Sequence, residues 1–498
     1  MLFPEKKYSF YKDITLDSAL DFSKRSSFVK EIMLERVYPT KVIIPMKQHY
    51  GAPCVPVVKA GEKVTIGQCV GLPAKGTFAS PVHCGISGTV TAVSDITLPN
   101  GVTCKAVTVE SDRKRTHHPS IVKRSDPYIS ATKVMGIIRN SGIVGMGGEG
   151  IPTIAKINRA KKAGVKHLLV NCLQSEPYAT SDLIRITDSA EYLIMGAVAL
   201  AGAVGVTRID FLISEKRKTE ITALLSAMER TAGRYSGYVF NIRYFRERFP
   251  QGYYRLVAKA LYDRDLLPGQ LLEEECSAVL FNCSTVYACW EAIADGMPLC
   301  SRVVTVTGED MKGHNVLAPI GTPVSEIINS VNGRSETTNT VLWGNTLPGV
   351  RISDPDNTPI IKTTNAVTVV RNTDKVKTNC IHCAGCVRAC PMGLNPGLLK
   401  QYLDNRLTDL AERDDIYDCI ACGACSYICP SGIDLNETIA AFARDSYIRE
   451  QRQRPVYFTE KMDIGSLSLL EAYTEEEGSD KENDGEHIIL PFEGGKIV

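Results

Sequence analysis

One stretch, Cys380 to Pro430, constrains this chain more than any other. It holds two runs with the same spacing, C-x2-C-x2-C-x3-C-P. The first is Cys380, Cys383, Cys386, Cys390 and Pro391; the second is Cys419, Cys422, Cys425, Cys429 and Pro430. Three closely spaced thiolates hold three irons of one cube, and the fourth cysteine of each run ligates the other cube, so the spacing specifies a pair of [4Fe–4S] clusters. On this rule Cys380, Cys383, Cys386 and Cys429 form one ligand set, and Cys419, Cys422, Cys425 and Cys390 the other. Four-cysteine zinc sites are the competing reading of C-x2-C pairs. Zinc requires neither the third cysteine, nor the fourth, nor the following proline, and both runs have all three. Four-iron clusters move one electron at a time, so the chain is expected to be a stop on an electron path.

The remaining cysteines support a reducing compartment. The chain has 498 residues and 17 Cys. The nine outside the runs (Cys54, Cys69, Cys84, Cys104, Cys172, Cys276, Cys283, Cys289, Cys300) are scattered and odd in number, which argues against a disulfide framework; they are expected to be small buried hydrophobes. The length suggests about three domains. A net charge of +1 offers no global field for nucleic acid. The N-terminus, with Lys6, Lys7 and Lys12 before mixed polar sequence, does not read as a signal peptide. The longest apolar run, Leu193 to Val206, is shorter than the roughly 20 residues of a membrane span and reads as a buried helix. The chain is therefore expected to be soluble, with membrane attachment only through partner subunits.

Residues 1–40 are poorly patterned and read as a lead-in arm. From Lys41 short β-branched runs alternate with glycines, as in strands joined by tight turns. Two similar halves follow, Val58-Lys59-Ala60-Gly61-Glu62 through Gln68 and Ser80-Pro81-Val82 through Val90. His49 and His83 lie in this part and are expected to be structural rather than ligands. Residues 111–130 are charged, broken by Pro119 and Pro127, and read as a linker. A helix over 129–141 then leads to the glycine-rich loop Gly142 to Thr153 and a basic helical stretch through Lys156, Arg159, Lys161 and Lys162. A glycine-rich loop before a helix lets backbone amides approach a phosphate. A strand at 166–171, a helix at about 187–204, a strand at 208–213 and a helix at 216–232 give α/β alternation. Helix-like spacing of leucines runs from Leu394 to Tyr417, a further helix runs from Ile433 to about Arg452, and the acidic end from 451 reads as a disordered tail.

The two N-terminal halves resemble a biotinyl/lipoyl-type barrel-sandwich domain, without the lysine hairpin that would carry a swinging cofactor. The loop Gly145-Met146-Gly147-Gly148-Glu149-Gly150-Ile151-Pro152-Thr153, then Asn171 and Ser175-Glu176-Pro177, resembles the NADH-binding subunit of respiratory complex I. With Phe249-Pro250-Gln251-Gly252, Asn282-Cys283-Ser284-Thr285, Arg302 to Gly308 and the double cysteine run in the same order, residues 40–440 are similar to the RnfC family, the C subunits of Rnf electron-transport complexes. Cobalamin- and proline-reductase electron-transfer proteins share this layout. The resemblance implies FMN on the glycine-rich loop, NADH as substrate, and Gly145, Gly147, Gly148, Gly150, Lys156, Asn171 and Glu176 as cofactor-binding residues. Four positions depart from the family pattern: Glu149 for a small residue, Ile151 for Phe, Gln174 for an acid, and Tyr253-Tyr254-Arg255 after the Phe-Pro-Gln-Gly motif.

The expected fold class is multidomain α+β. It comprises an N-terminal arm (1–40), a barrel-sandwich hybrid (41–110), a central α/β nucleotide-binding domain (129–298), a small β-grasp (SLBB-like) region (300–370), an α-helical ferredoxin-type double-cluster domain (375–450) and the tail (451–498). The expected function is electron transfer between NADH, via FMN, and a partner redox protein through two [4Fe–4S] clusters, as part of an oxidoreductase. The partners are membrane-embedded Rnf-type subunits or a soluble reductase, with ferredoxin or a flavoprotein as exchange partner. The place is the cytoplasm or the cytoplasmic face of the membrane. The alternative is a relay adaptor whose altered pocket no longer binds FMN or NADH.

Overall fold

The computed structural model describes residues 34–124, 128–173, 176, 178–308, 311–331, 339–344, 347, 349–371, 377–443 and 487–489. Gln174, one of the departures from the family pattern, lies outside them.

The β-branched runs after Lys41 form two small facing sheets. Lys41–Pro45, Thr103–Ser111, Gly88–Thr97 and Lys63–Val64 pair in that order; Val55–Pro56, Cys69–Leu72 and Val82–His83 make the other sheet. Alternation decides which side chains enter the core: Val42, Ile44, Val107 and Val109 are fully buried between the sheets with Val70 and Val82. His49 and His83 are buried as well. Burial, aided by the charge of Lys362, pushes both imidazoles down to about 3, so they are neutral packing groups at pH 7.

The α/β alternation produces a parallel sheet in the order Val239–Phe245, Arg208–Ser214, His167–Asn171, Ala278–Asn282. Chain order reverses between the last two, since the strand after Asn171 is laid on one side and the final strand on the other. That makes a crevice beyond Asn171 and Asn282, where open parallel sheets place ligands. The apolar run at 193–206 is a buried helix, Ala190–Val204, with Leu193, Ile194 and Ala197 inaccessible. It does not start at 187: a shorter helix, Ser181–Asp188, precedes it, and Ser189 caps the second by accepting from the Tyr192 amide. Among the described residues no helix is long and apolar enough to cross a membrane.

A third sheet runs Leu34–Arg36, Met311–Pro319, Ser301–Gly308, Ala366–Arg371, Asn339–Trp343, Val350–Ile352. The helix Val324–Ser330 packs its Val324, Ile327 and Ile328 on Val304, Val306 and Val367. The end of the lead-in arm therefore supplies an edge strand, Leu34–Arg36 running parallel to Asn315–Leu317. The expected linker is strapped down, with the Arg124 amide donating to the Ala294 carbonyl at 2.8 Å. Most of the expected tail lies outside the described residues; within it, His487–Ile489 pairs antiparallel with Tyr128–Ser130.

Two fully buried cations join these parts. Lys362 Nζ donates to the Pro81 carbonyl of the barrel (2.6 Å) and to the Gly142 carbonyl at the start of the glycine-rich loop (2.7 Å). Arg302 donates to the Lys362 carbonyl and to Asn365 Oδ1. Burial lowers the Lys362 ammonium to about 8, the expected direction for a cation taken out of water and held only by neutral acceptors.

The C-terminal part is helical around the cysteines. The single leucine pattern from 394 to 417 resolves into Pro396–Asp404 and Thr408–Arg413, because Arg406 takes a left-handed backbone (φ 58°) that no helix can run through. Leu394, Leu399, Ala411, Ile416, Leu435 and Ile439 close a small core beneath the thiols.

Candidate functional site

The glycine-rich loop sits at the mouth of the switch-point crevice. Its base is closed by the Gly145 amide donating to the Ile151 carbonyl (2.8 Å) and the Gly150 amide to the Gly145 carbonyl (3.1 Å). Met146 N donates to Thr285 Oγ1 at 2.9 Å, which ties the loop to the helix Cys283–Asp295. The crest, Gly147-Gly148-Glu149, is exposed. Among the described residues its three amides donate to no protein group, and the helix Thr153–Ala163 starts just behind it. Gly148 turns at φ 117°, a conformation closed to side-chain residues, and a Cβ there would meet open space. A Cβ on Gly147 would sit 3.5 Å from Asn282, at the end of the neighbouring strand. Free amides on a glycine crest before a helix make an anion site. They suit the phosphate of FMN, and Lys156, one turn into the helix with Nζ 5.7 Å from the centre of the Phe281 ring, adds a cation beneath.

The other candidates divide between binding and bracing. Asn171 is committed to the protein: its Nδ2 donates to the Gly252 carbonyl (2.9 Å) and its Oδ1 accepts from Leu173 N (3.0 Å). It therefore fixes the Phe-Pro-Gln-Gly turn against the end of the central strand. Glu176 is half-buried and close enough to act on the charge of Arg302. Asp182, which the motifs did not single out, organises the other wall, accepting from Asn282 Nδ2 (2.7 Å) and Ser284 Oγ (2.5 Å).

Two of the departures from the family pattern meet here. Glu149 is exposed on the crest, within electrostatic reach of Tyr253. Burial, the neighbouring Tyr254 and then Glu149 all push the Tyr253 phenol up, so it stays protonated. The carboxylate that would oppose a phosphate thus has a phenol close by. Arg255, two residues on, is buried and leaves the site altogether. Its Nη2 donates to Asp418 Oδ1 at 2.7 Å and its Nε to the Leu266 carbonyl at 2.5 Å. Asp418 directly precedes Cys419, so the turn beside the nucleotide crevice is bolted to the start of the second cysteine run. Sequence reading missed this pair because its members are 163 residues apart and the only local sign was a family mismatch.

The two runs share one backbone design. His382 and Ala384 of the first are left-handed (φ 54° and 55°), as are Ala421 and Gly423 of the second (φ 53° and 79°), at matching positions. Each run then enters a short helix, Gly385–Ala389 or Ala424–Ile428. Such alternation turns successive amides towards the enclosed sulfurs; His382 N already donates to Cys380 Sγ at 3.4 Å. Small residues line the thiols: Cβ atoms built on Gly385 and Gly397 would lie 3.5 Å from Cys383 Sγ and Cys386 Sγ. Burial pushes the Cys422 and Cys425 thiols up to about 12, with contributions from Cys419 and Cys390. Cys390, the fourth cysteine of the first run, thus lies within electrostatic reach of Cys422 and Cys425 as well as of Cys386. Among the described residues no three of His, Cys, Asp and Glu converge closely enough to hold a single ion. The repeated spacing of the two runs, the glycine clearance beside Cys383 and Cys386 and the left-handed turns suit iron–sulfur cubes.

The environments of the two runs differ. Cys380 and Cys383 are exposed, and Ile381 between them is 64% exposed. The second run faces the body, through Asp418 to Arg255 and through Gly423, where a Cβ would come within 2.7 Å of the Leu347 carbonyl.

Comparison with known proteins bears on the same segments. Residues 19–114 match the RnfC barrel sandwich hybrid domain, 138–291 the Nuo51 FMN-binding domain and 373–430 a 4Fe-4S dicluster domain. The chain is 33% identical over 390 residues to the C subunit of the Na(+)-translocating ferredoxin:NAD(+) oxidoreductase complex of Acetobacterium woodii, covering 76% of this chain and 85% of that one. It is 31% identical over 364 residues to the C subunit of the ion-translocating oxidoreductase complex of Rhodobacter capsulatus, covering 72% and 69%. Identity is 30% over 384 residues to the C subunit of the proton-translocating ferredoxin:NAD(+) oxidoreductase complex of Clostridium ljungdahlii, covering 76% and 82%. A solved NAD+-reducing [NiFe]-hydrogenase overlays with a TM-score of 0.47 at 15% identity, covering 72% of this chain and 66% of that one.

Proposed function

The chain belongs to the RnfC family, the C subunits of ion-translocating oxidoreductase complexes, and on that premise we propose that it carries electrons between NADH and a partner redox protein. Bound FMN supplies the exchange between a two-electron hydride and single electrons. The crest amides of Gly147 and Gly148, with Lys156, hold the phosphate; Gly145 and Gly150 shape the loop; Asn171 holds the Phe-Pro-Gln-Gly turn in place; Glu176 stands at the carboxyl end of the central strand. Cys380, Cys383, Cys386 and Cys429 ligate one [4Fe–4S] cluster, and Cys419, Cys422, Cys425 and Cys390 the other. The cluster of Cys419 lies towards the nucleotide crevice and that of Cys380 towards the exterior. Electrons then pass between the crevice and the outside through the two cubes in that order. Outside these sites, the sheet and helix of 301–371 are read as the SLBB-like β-grasp unit, and 375–450 as the ferredoxin-type helical domain. The partners are other subunits of an Rnf-type complex, which places the chain peripherally on the membrane, or a soluble reductase.

The observation that carries this reading is the Arg255–Asp418 bolt, which joins the turn beside an anion-binding crest to the first ligand of a cluster set on the same chain. Glu149 on the crest favours the relay alternative, in which the pocket no longer binds a flavin nucleotide. Low-temperature EPR separates the two. Anaerobic, iron-replete, FMN-supplemented protein should show reduced-cluster signals with NADH as well as with dithionite. Signals with dithionite alone would reject NADH input and leave the relay. Cys383→Ser should remove or convert one cluster's signal and leave that of the Cys419 set. Loss of neither would overturn the ligand assignment.

A further inference from the structure

A cavity of about 520 Å³ lies away from both cofactor sites. Its walls come from the end of the lead-in arm, the barrel, the loop at 111–117, the helix Ser181–Asp188 and the helix Cys283–Asp295. The volume is that of a small-molecule site. Its charge is uneven. Deep inside, Arg185 is 6% exposed and lies 4.3 Å over the Tyr287 ring. Among the described residues its one ion-pair partner is Glu291, at the 4.0 Å limit of such a pair. Asp188 accepts from Tyr287 Oη at 3.3 Å. Arg36 also lines the cavity and acts on the charge of Glu291. Both guanidiniums thus act on Glu291, and Asp188 takes the Tyr287 hydroxyl.

Among the described residues that leaves Arg113 and Arg115 unmatched at the mouth, and the loop is built to present them. Both are left-handed, at φ 59° and 56°, which is uncommon for residues with side chains. Ser111 Oγ accepts from Arg113 N (3.1 Å), Asp112 Oδ1 from Lys114 N (2.9 Å) and from Ser87 Oγ (2.6 Å), and Ser87 Oγ from Thr116 N (3.1 Å). Residues at alternate positions with like conformations project to the same side, so both guanidiniums line the opening. Arg115 also lies 4.8 Å over the exposed Tyr38 ring, which adds a flat aromatic surface beside the forks. Paired guanidiniums suit the oxygens of a phosphate. Exposed and buried aromatic rings suit a planar group, and Glu291 and Asp188 suit its N–H or O–H donors. We propose that this cavity binds a phosphate-bearing organic anion of nucleotide size, at a site separate from the glycine crest.

The test is calorimetric titration of the full, cluster-loaded chain with ADP as probe, in one equivalent of FMN and without NADH, whose ADP moiety would compete at this site; the site counted is the one that the arginine change removes. One further site should be seen. Arg113→Ala/Arg115→Ala should weaken it at least tenfold, and Tyr38→Ala several-fold, while NADH-dependent reduction of the clusters is unchanged. Inorganic phosphate should displace ADP only at much higher concentration. No ADP binding under these conditions, binding that survives the double arginine change, or equal displacement by inorganic phosphate would each overturn the proposal.

Discussion

Glu149 carries its charge where a phosphate is to be held. Among the described residues its neighbours Gly147 and Gly148 leave their amides free, and the nearby Tyr253 phenol remains protonated. On an exposed crest, where water screens it, one unit charge at phosphate distance is worth on the order of 1 kcal/mol. Glu149→Ala should therefore tighten FMN binding roughly fivefold, read by quenching of flavin fluorescence, and make binding fall more steeply with salt, because salt no longer relieves a repulsion. An unchanged affinity would mean that the carboxylate points away from the phosphate. The cysteine ligand spacing was legible at this scale because a cube's ligands from one run are local in sequence, and two runs of the same spacing explain each other. The glycine crest was legible for the same reason. Asp182 and Arg255 were not, because each acts on a residue about 100 or more positions away, and nothing near them in sequence marks the partner.

At the scale of elements, the helix Tyr254–Tyr262 connects the two kinds of site. Its first turn stands beside the crest, and Arg255 reaches out of it to Asp418 and to the Leu266 carbonyl. Removing Arg255 leaves a carbonyl without its donor and Asp418, which is partly exposed, without its partner; each loss costs about 1–3 kcal/mol when buried and less where water enters. Arg255→Met should lower stability by about 2 kcal/mol in thermal melts. It should also slow NADH reduction of the clusters in freeze-quench EPR, with dithionite reduction unaffected. NADH reduction at the wild-type rate in the destabilised variant would show that the bolt is purely structural. Two strands of the parallel sheet, His167–Asn171 and Arg208–Ser214, were legible because buried parallel strands read as apolar runs between helices, whereas Val239–Phe245 and Ala278–Asn282 were not singled out. The six-stranded sheet was only half legible: its edge strand Leu34–Arg36 is three residues long, and pairing across some 280 positions leaves no local trace. The break at Arg406 went unseen because leucine spacing tracks the buried face and says nothing of one backbone turn.

Taken whole, the molecule sets an inner and an outer end. Lys362 and Arg302 lock barrel, crevice and third sheet together, so the crest is held by three parts of the chain. The second cysteine run faces that assembly, and the first turns Cys380, Ile381 and Cys383 to the outside. On the proposed ligand assignment, an exposed apolar side chain between Cys380 and Cys383 suits a transient redox contact, where a small dry centre brings two cofactors close and the surrounding charge only steers. Ile381→Glu changes that centre without touching a ligand. NADH should reduce both clusters in the variant at the wild-type rate, because the inner end is intact. Delivery to a ferredoxin-type acceptor, followed by stopped-flow absorbance, should slow about tenfold, with the loss in the acceptor KM. The same loss in a Leu407→Glu control, at an exposed leucine in the turn between the helices Pro396–Asp404 and Thr408–Arg413, would indicate nonspecific repulsion. If delivery stays at the wild-type rate, the Cys380 face is not the exit, and electrons must leave near Cys419 instead.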